Sequence, residues 1–187
     1  MKLMISIIGA GTWGKEPIVS PEELAQAEEV GRLLAQRGAV TVSGGGSGVM
    51  EAVSKGAKEA GGLTVGIIPG FEKKSANRYV DIAATTGMAL MRNFLTVRCG
   101  DAVIMVSGGV GTLNELTAAV MEHTVPVVVL EGSGGWADRI REMAYEGKYL
   151  DQRRRIAINF ASSPQEAVDL AIKLGMARNP AVEGVKA

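Results

Sequence analysis

The stretch Ala102-Val103-Ile104-Met105-Val106-Ser107-Gly108-Gly109-Val110-Gly111-Thr112-Leu113-Asn114-Glu115 decides the fold. It reads as a short apolar run, a glycine turn and the opening of a helix. The run is apolar throughout instead of alternating, as expected of a parallel strand covered on both faces. The same pattern recurs outward in both directions. Strands are expected at Leu3–Ile8, Val40–Ser43, Leu63–Ile68, Tyr79–Ile82, Val125–Leu130 and Ile156–Phe160 as well as Ala102–Val106. Helices are expected at Pro21–Arg37, Gly48–Ala60, Met88–Cys99, Leu113–His123, Ala137–Tyr145 and Pro164–Leu174. Ser20-Pro21-Glu22-Glu23 and Ser163-Pro164-Gln165-Glu166 mark two helix starts, each with an N-cap, a proline in the first turn and a Glu three residues on. Alternation of strand and helix implies right-handed crossovers and an α/β fold: one doubly wound, mainly parallel sheet of about seven strands with helices on both faces. One domain is expected over residues 1–175, with an irregular tail at 176–187.

Composition narrows the function. Twenty Lys and Arg balance twenty Asp and Glu, which argues against nucleic acid as a partner, since that needs a surplus of cations. One Cys and one His leave no disulfide framework and make a metal site unexpected. The longest apolar runs, Val125–Leu130 and Ala102–Val106, are too short for a bilayer, and Leu3–Ile8 is too short for a signal-peptide core. A cytoplasmic protein with no membrane partner is the expectation. Glycine stands out, with 25 in 187 residues, about 13% against a usual value of roughly 7%.

In a doubly wound sheet the loops after the strands share one edge, where ligands bind. Fourteen of the 25 glycines fall in those loops. They include Gly9, Gly11 and Gly14; Gly44, Gly45, Gly46 and Gly48; and Gly108, Gly109 and Gly111. Such clusters, with Thr12, Ser47, Ser107 and Thr112 beside them, suit backbone approach to an anion at helix N-termini. Tight strand-to-helix turns also call for glycine. Gly9-Ala10-Gly11-Thr12-Trp13-Gly14 has the letters of a dinucleotide fingerprint, but Lys15-Glu16-Pro17 separates it from the helix, and no acidic ribose ligand ends the second strand. No Gly-Lys-Ser/Thr follows any glycine run, so a Walker loop is absent as well. A phosphorylated small molecule that is neither standard dinucleotide nor triphosphate is the expected partner.

Two charged residues join the glycine loop. The helix that holds Arg92 is expected to start at the ligand edge, which places Arg92 near the site, where it flanks an apolar stripe of Met91, Phe94 and Leu95. Thr112 is expected to cap the next helix and Glu115 to lie in its first turn. A carboxylate beside an arginine and a phosphate cradle suits chemistry at a sugar carbon. Thr112-Leu113-Asn114-Glu115 is equally a capping box, and Arg92 equally a solvated helical arginine. Trp13 could stack on a flat ring, while Phe71–Arg78 forms a polar loop able to close over a phosphate.

Gly44–Ala52, Val65-Gly66-Ile67-Ile68-Pro69, Arg92 and Gly108–Glu115 occur in an order and spacing that resembles the Lonely Guy family of nucleoside 5′-monophosphate phosphoribohydrolases, long labelled lysine decarboxylases. The resemblance extends to molybdenum-cofactor carrier proteins and spans roughly Met4 to Leu130. It implies a Rossmann-like fold, a homodimer or higher homo-oligomer, no required cofactor, and a bound nucleotide or molybdopterin-type ligand. Arg92 lies sixteen residues before Gly108, the family's spacing for its functional Arg, and Glu115 matches the catalytic Glu. Ala89-Leu90-Met91-Arg92-Asn93 and Ser107 depart from the hydrolases, which usually have Met-His-Glu-Arg-Lys and Pro there, and come closer to the carriers. Pyridoxal-dependent lysine decarboxylation is set aside, because no His-Lys pair exists to hold that cofactor.

Overall fold

The structure is a computed structural model that describes residues 1–12, 19–121 and 125–179. Seven strands form one wholly parallel sheet: β1 (Met4–Gly9), β2 (Val40–Ser43), β3 (Thr64–Ile68), β4 (Ile82–Thr85), β5 (Ala102–Val106), β6 (Val127–Leu130) and β7 (Ile158–Ala161). Their order is β4-β3-β2-β1-β5-β6-β7. β1 therefore pairs with both β2 and β5, in the registers Met4 to Val40 and Ile5 to Ala102. The order reverses at β1 and β5, and the crevice beyond their carboxyl ends is where such sheets take ligands.

Side-chain alternation along the central strands sends residues to two cores. Ile5, Ile7, Ile104 and Val106 pack under α1 (Pro21–Gln36), α2 (Val49–Glu59) and α6 (Pro164–Arg178). Ile8, Val103 and Met105 pack on the other face, under α3 (Asn93–Cys99), α4 (Val110–Met121) and α5 (Ile140–Met143). The α1–α2 crossing is unusually close. A Cβ on Gly31 would stand 2.0 Å from the carbonyl oxygen of Val53, and one on Gly56 would stand 1.9 Å from that of Glu28. The Ser20 capping box forms in full: Ser20 Oγ accepts from the Glu23 amide at 3.2 Å, and the Glu23 carboxylate accepts from the Ser20 amide at 2.7 Å.

Several boundaries differ from expectation for local reasons. β4 begins at Ile82 instead of Tyr79, because residues 79–81 are tied to the start of β3 by side chains. Thr64 Oγ1 donates to the Tyr79 carbonyl at 2.6 Å, and the Asp81 carboxylate accepts from the Thr64 amide at 3.1 Å. β6 starts at Val127, after Pro126. The Ala137–Tyr145 helix contracts to Ile140–Met143, behind a run of turns. α6 runs to Arg178, so the start of the expected irregular tail is helical; residues 180–187 lie outside the described residues. No helix among the described residues is long and apolar enough to cross a membrane.

Candidate functional site

The loops after β1, β2, β3 and β5 enclose a cleft of two adjoining chambers that share Gly11, Met50 and Arg92. The smaller, about 280 Å³, is walled by Gly9, Gly11, Gly109, Gly111, Thr112 and Glu115. The larger, about 530 Å³, is walled by Thr12, Gly44, Gly46, Ser47 and the 75–78 segment. Eleven of the sequence-derived site residues therefore face one cleft: those just named together with Arg92.

Arg92 and Glu115 form its charged centre. Arg92 lies at the junction of a 3₁₀ turn (Ala89–Arg92) with α3 and is only 8% exposed; Glu115 is 7% exposed. One guanidinium nitrogen, Nη1, donates to Glu115 Oε1 at 3.0 Å, Asn93 Oδ1 at 2.8 Å and Thr96 Oγ1 at 3.2 Å. Asn93 in turn donates to Asn114 Oδ1 at 2.9 Å. The rest of the guanidinium is left over. Nε is buried with no hydrogen-bond partner, and Nη2 faces Gly44, where a Cβ would stand 2.5 Å away. Buried donors are nearly always satisfied, so this orphan stands out on a residue that lines both chambers.

Both alternatives held open by sequence are now decided on geometry. α4 begins at Val110, with the Leu113 amide bonded to the Gly109 carbonyl at 3.0 Å. Thr112 is thus inside the first turn and not the cap, and Glu115 lies beyond that turn, where no capping box can form. Arg92 is not solvated either. The helix is turned so that Arg92, Asn93, Thr96 and Val97 are buried, while Met91, Phe94 and Leu95 face outward. An apolar stripe pointing to solvent is the reverse of the amphipathic norm.

Burial pushes the Glu115 carboxyl up to about 7, against the pull of Arg92. The sign of the linked stability follows. Between about 4.5 and about 7 the unfolded chain releases this proton while the folded chain keeps it, so stability falls as pH rises through that window. Denaturant unfolding of wild type and Glu115→Gln should show the wild type losing ground to the variant across the window and no further change above it.

The glycines divide into two kinds. Gly9 is required for packing, since a Cβ there would meet Val49 Cγ1 at 2.3 Å. Gly45 and Gly48 have φ of +71° and +69° and are covered by Ile68 and by the Ala10 carbonyl. At Gly109 and Gly111, by contrast, a Cβ would meet nothing within 4 Å and φ is ordinary. Those two leave the amides of the α4 first turn open to the smaller chamber, where unpaired N–H groups favour an anion.

Gly45, Gly48, Ser107 and Gly108 do not line the cleft. Ser107, buried with φ +56°, gives its amide to Ser133 Oγ at 2.7 Å. Gly108 and Ser107 accept from the amides of Trp136 and Ala137 at 3.0 and 3.2 Å. The glycines after β6 thus prop the β5 loop from behind. The hollow there, about 820 Å³, contains Asp138, whose carboxylate is already taken by the Gly132 and Gly134 amides. Trp13 lies outside the described residues, as do Gly14 and His123. The 71–78 loop is pinned, because the Asn77 side chain donates to the Gly45 and Gly46 carbonyls at 3.2 and 2.9 Å. Sequence reasoning missed Asn77 and Met50; the Asn-Arg dipeptide after a charged loop was the available signal for the first, and nothing pointed to the second.

Comparison with known proteins finds relatives over most of the chain. The profile of the SLOG cluster4 family matches residues 2–168. A cytokinin riboside 5′-monophosphate phosphoribohydrolase of Mycobacterium tuberculosis is 33% identical over 162 residues, covering 78% of this chain and 87% of the relative. Among solved structures, TM1055 superposes with a TM-score of 0.83 at 38% identity, covering 92% of this chain and 99% of that one. The molybdenum cofactor binding protein of Rippkaea orientalis superposes with a TM-score of 0.77 at 32% identity, covering 93% and 98%. With its fold and nearly its whole length matched, the chain belongs to the SLOG cluster4 family, within the superfamily that holds both Lonely Guy-type phosphoribohydrolases and molybdenum-cofactor carriers.

Proposed function

We propose that the protein hydrolyses the N-glycosidic bond of a nucleoside 5′-monophosphate, releasing the base and ribose 5-phosphate. The observation that carries this is the buried Arg92–Glu115 pair, 3.0 Å apart, beside the open amides at Gly109–Thr112, with Arg92 Nε unpartnered. The phosphate docks on those amides, and Arg92 adds its free edge to the phosphate or the ribose. Glu115, whose ionisation burial delays to about 7, takes a proton from water in its carboxylate form as the oxygen bonds to C1′. The C1′–N bond breaks with its electron pair going to the base nitrogen, which takes up the proton held by Glu115 and so restores the carboxylate. No resident cofactor is needed for these steps.

The test is a panel of nucleoside monophosphates scored for free base, with ribose 5-phosphate as the other product. Release from none of them would overturn the enzyme reading. Gly111→Ala separates an approach site from a mere turn. Alanine fits there and favours helix by up to about 1 kcal/mol, so the melting temperature should hold or rise. Affinity for ribose 5-phosphate should fall about tenfold or more as the methyl group blocks the amides. Unchanged affinity would remove Gly111 from the site.

A second reading, a carrier that holds a phosphorylated cofactor such as molybdopterin without turnover, is favoured by one observation. Asn93 is committed to Arg92 and Asn114, leaving Glu115 as the one carboxylate in the smaller chamber among the described residues. Tight molybdopterin binding without base release is the outcome that selects it. Either way we propose a homodimer or higher homo-oligomer, because Leu90, Met91 and Val110 are 65%, 71% and 77% exposed beside the cleft. Leu90→Glu with Met91→Glu should reduce the mass measured by light scattering to that of a smaller assembly.

A further inference from the structure

We propose that Glu51, with Arg78 of the same chamber, reads the ring of the ligand, and that the larger chamber takes a 2-amino-4-oxo-pyrimidine edge, as in guanine and pterins, in preference to a 6-aminopurine. This rests on the reading above, in which the phosphate docks in the smaller chamber.

The larger chamber has the make-up of a site for a flat heterocycle: apolar walls from Met50, Ile68 and Pro69, with a few polar groups at the rim. Most of those polar groups are already occupied. Asn77 is tied to Gly45 and Gly46. Thr12 Oγ1 donates to Ser47 Oγ at 2.6 Å, and Ser75 Oγ donates to the Glu72 carbonyl at 2.7 Å.

Besides Arg92, which the two chambers share, Glu51 and Arg78 are the exceptions. Glu51, in the first turn of α2, is half-buried on the chamber wall and makes no hydrogen bond or ion pair with any described residue. Arg78 lies over the Tyr79 ring, 4.8 Å from its centroid, and gives one nitrogen, Nη2, to the Tyr79 hydroxyl at 2.7 Å. Its other donors make no hydrogen bond to a described residue, and it does not pair with Glu51 although both line the same chamber.

An ionised carboxylate only accepts, and a guanidinium only donates. Lining one chamber, the two together complement an edge that offers two adjacent N–H donors and then an oxygen. Guanine and pterins have that edge, in the ring N–H, the 2-amino group and the oxo group. Adenine turns a ring-nitrogen lone pair toward the carboxylate, an acceptor against an acceptor. Hypoxanthine keeps the ring N–H and the oxo group but lacks the 2-amino group. A first-turn Glu also offsets the helix dipole, so the experiment must read selectivity and not stability.

Calorimetric affinities for GMP, IMP, AMP, pterin and ribose 5-phosphate, on wild type and Glu51→Gln, give that reading. Wild type should bind GMP about tenfold or more tighter than IMP and tighter still than AMP, the worth of a charge-assisted hydrogen bond. Pterin should compete with GMP. Glu51→Gln should bring GMP and IMP to similar affinities while ribose 5-phosphate binds as before. Equal binding of GMP and AMP by wild type, or a ladder unchanged in Glu51→Gln, would overturn the proposal while ribose 5-phosphate still binds. Loss of ribose 5-phosphate binding alone, with the GMP preference still tracking Glu51, would overturn the phosphate placement and leave the ring reading standing.

Discussion

Replacing Glu115 with Gln is expected to slow base release by about two to four orders of magnitude, the usual contribution of a positioned proton acceptor. Gln has nearly the same shape and keeps an oxygen for the bond from Arg92 Nη1, so the guanidinium stays in place. What disappears is the group able to take a proton from water. Affinity for ribose 5-phosphate should change much less than turnover, because the phosphate meets the α4 amides and not this side chain. The wild-type rate should rise with pH through about 7, as burial delays ionisation of Glu115 to that value, and that limb should vanish from the residual rate of the variant. Base release that persists at wild-type level in Glu115→Gln would remove Glu115 from the chemistry. A pH profile with no inflection in that region would count against the carboxylate as proton acceptor.

The largest effect on stability is expected far from the cleft. Gly56→Ala places a methyl group 1.9 Å from the Glu28 carbonyl oxygen, backbone against backbone, with Gly31 and Val53 locked in the same way alongside. No side chain can swing aside there, so α1 and α2 must separate. Alanine favours helix by about 1 kcal/mol, yet overpacking of this kind typically costs about 1–3 kcal/mol and occasionally more. A contact this short belongs at the upper end of that range. The net loss should be about 2 kcal/mol, which in a domain of this size lowers the melting temperature by about 4–8 °C. Gly109→Ala is the control, since a Cβ there meets nothing within 4 Å. If both variants melt with the wild type, the helices are not in the close contact described.

The sheet could be read from sequence because its signals are local. β2 and β5 occupy the expected residues, since short β-branched or apolar runs that end at a glycine turn have few other places to go. The meeting of Arg92 with Glu115 was also legible, as both lie at one sheet edge under a simple topological rule. The state in which they meet was not. Helical periodicity around Arg92 shows an apolar stripe at Met91, Phe94 and Leu95, and the norm would bury it. The structure turns that stripe outward and buries Arg92 with Asn93 and Thr96, where three side-chain oxygens hold one end of the guanidinium, Nη1. Periodicity carries no information on such partners. The start of α4 was missed because Thr112-Leu113-Asn114-Glu115 has the letters of a cap, while Gly109-Val110-Gly111 looks too permissive to begin a helix. Gly31 and Gly56 appear in sequence only as poor helix residues; their meaning depends on a neighbouring helix that no local pattern names.

The loop after β5 is fixed from behind by Ser133, Trp136 and Ala137, and that has a kinetic consequence. A loop held by its neighbours before any ligand arrives has no closing step to wait for. Association at the α4 amides would then be set by diffusion and the orientation of the incoming phosphate, and differences in affinity between ligands would lie mainly in how long each stays. Substitutions at residues 133–137 would act as a remote timer on that residence, lengthening or shortening it without touching the ligand.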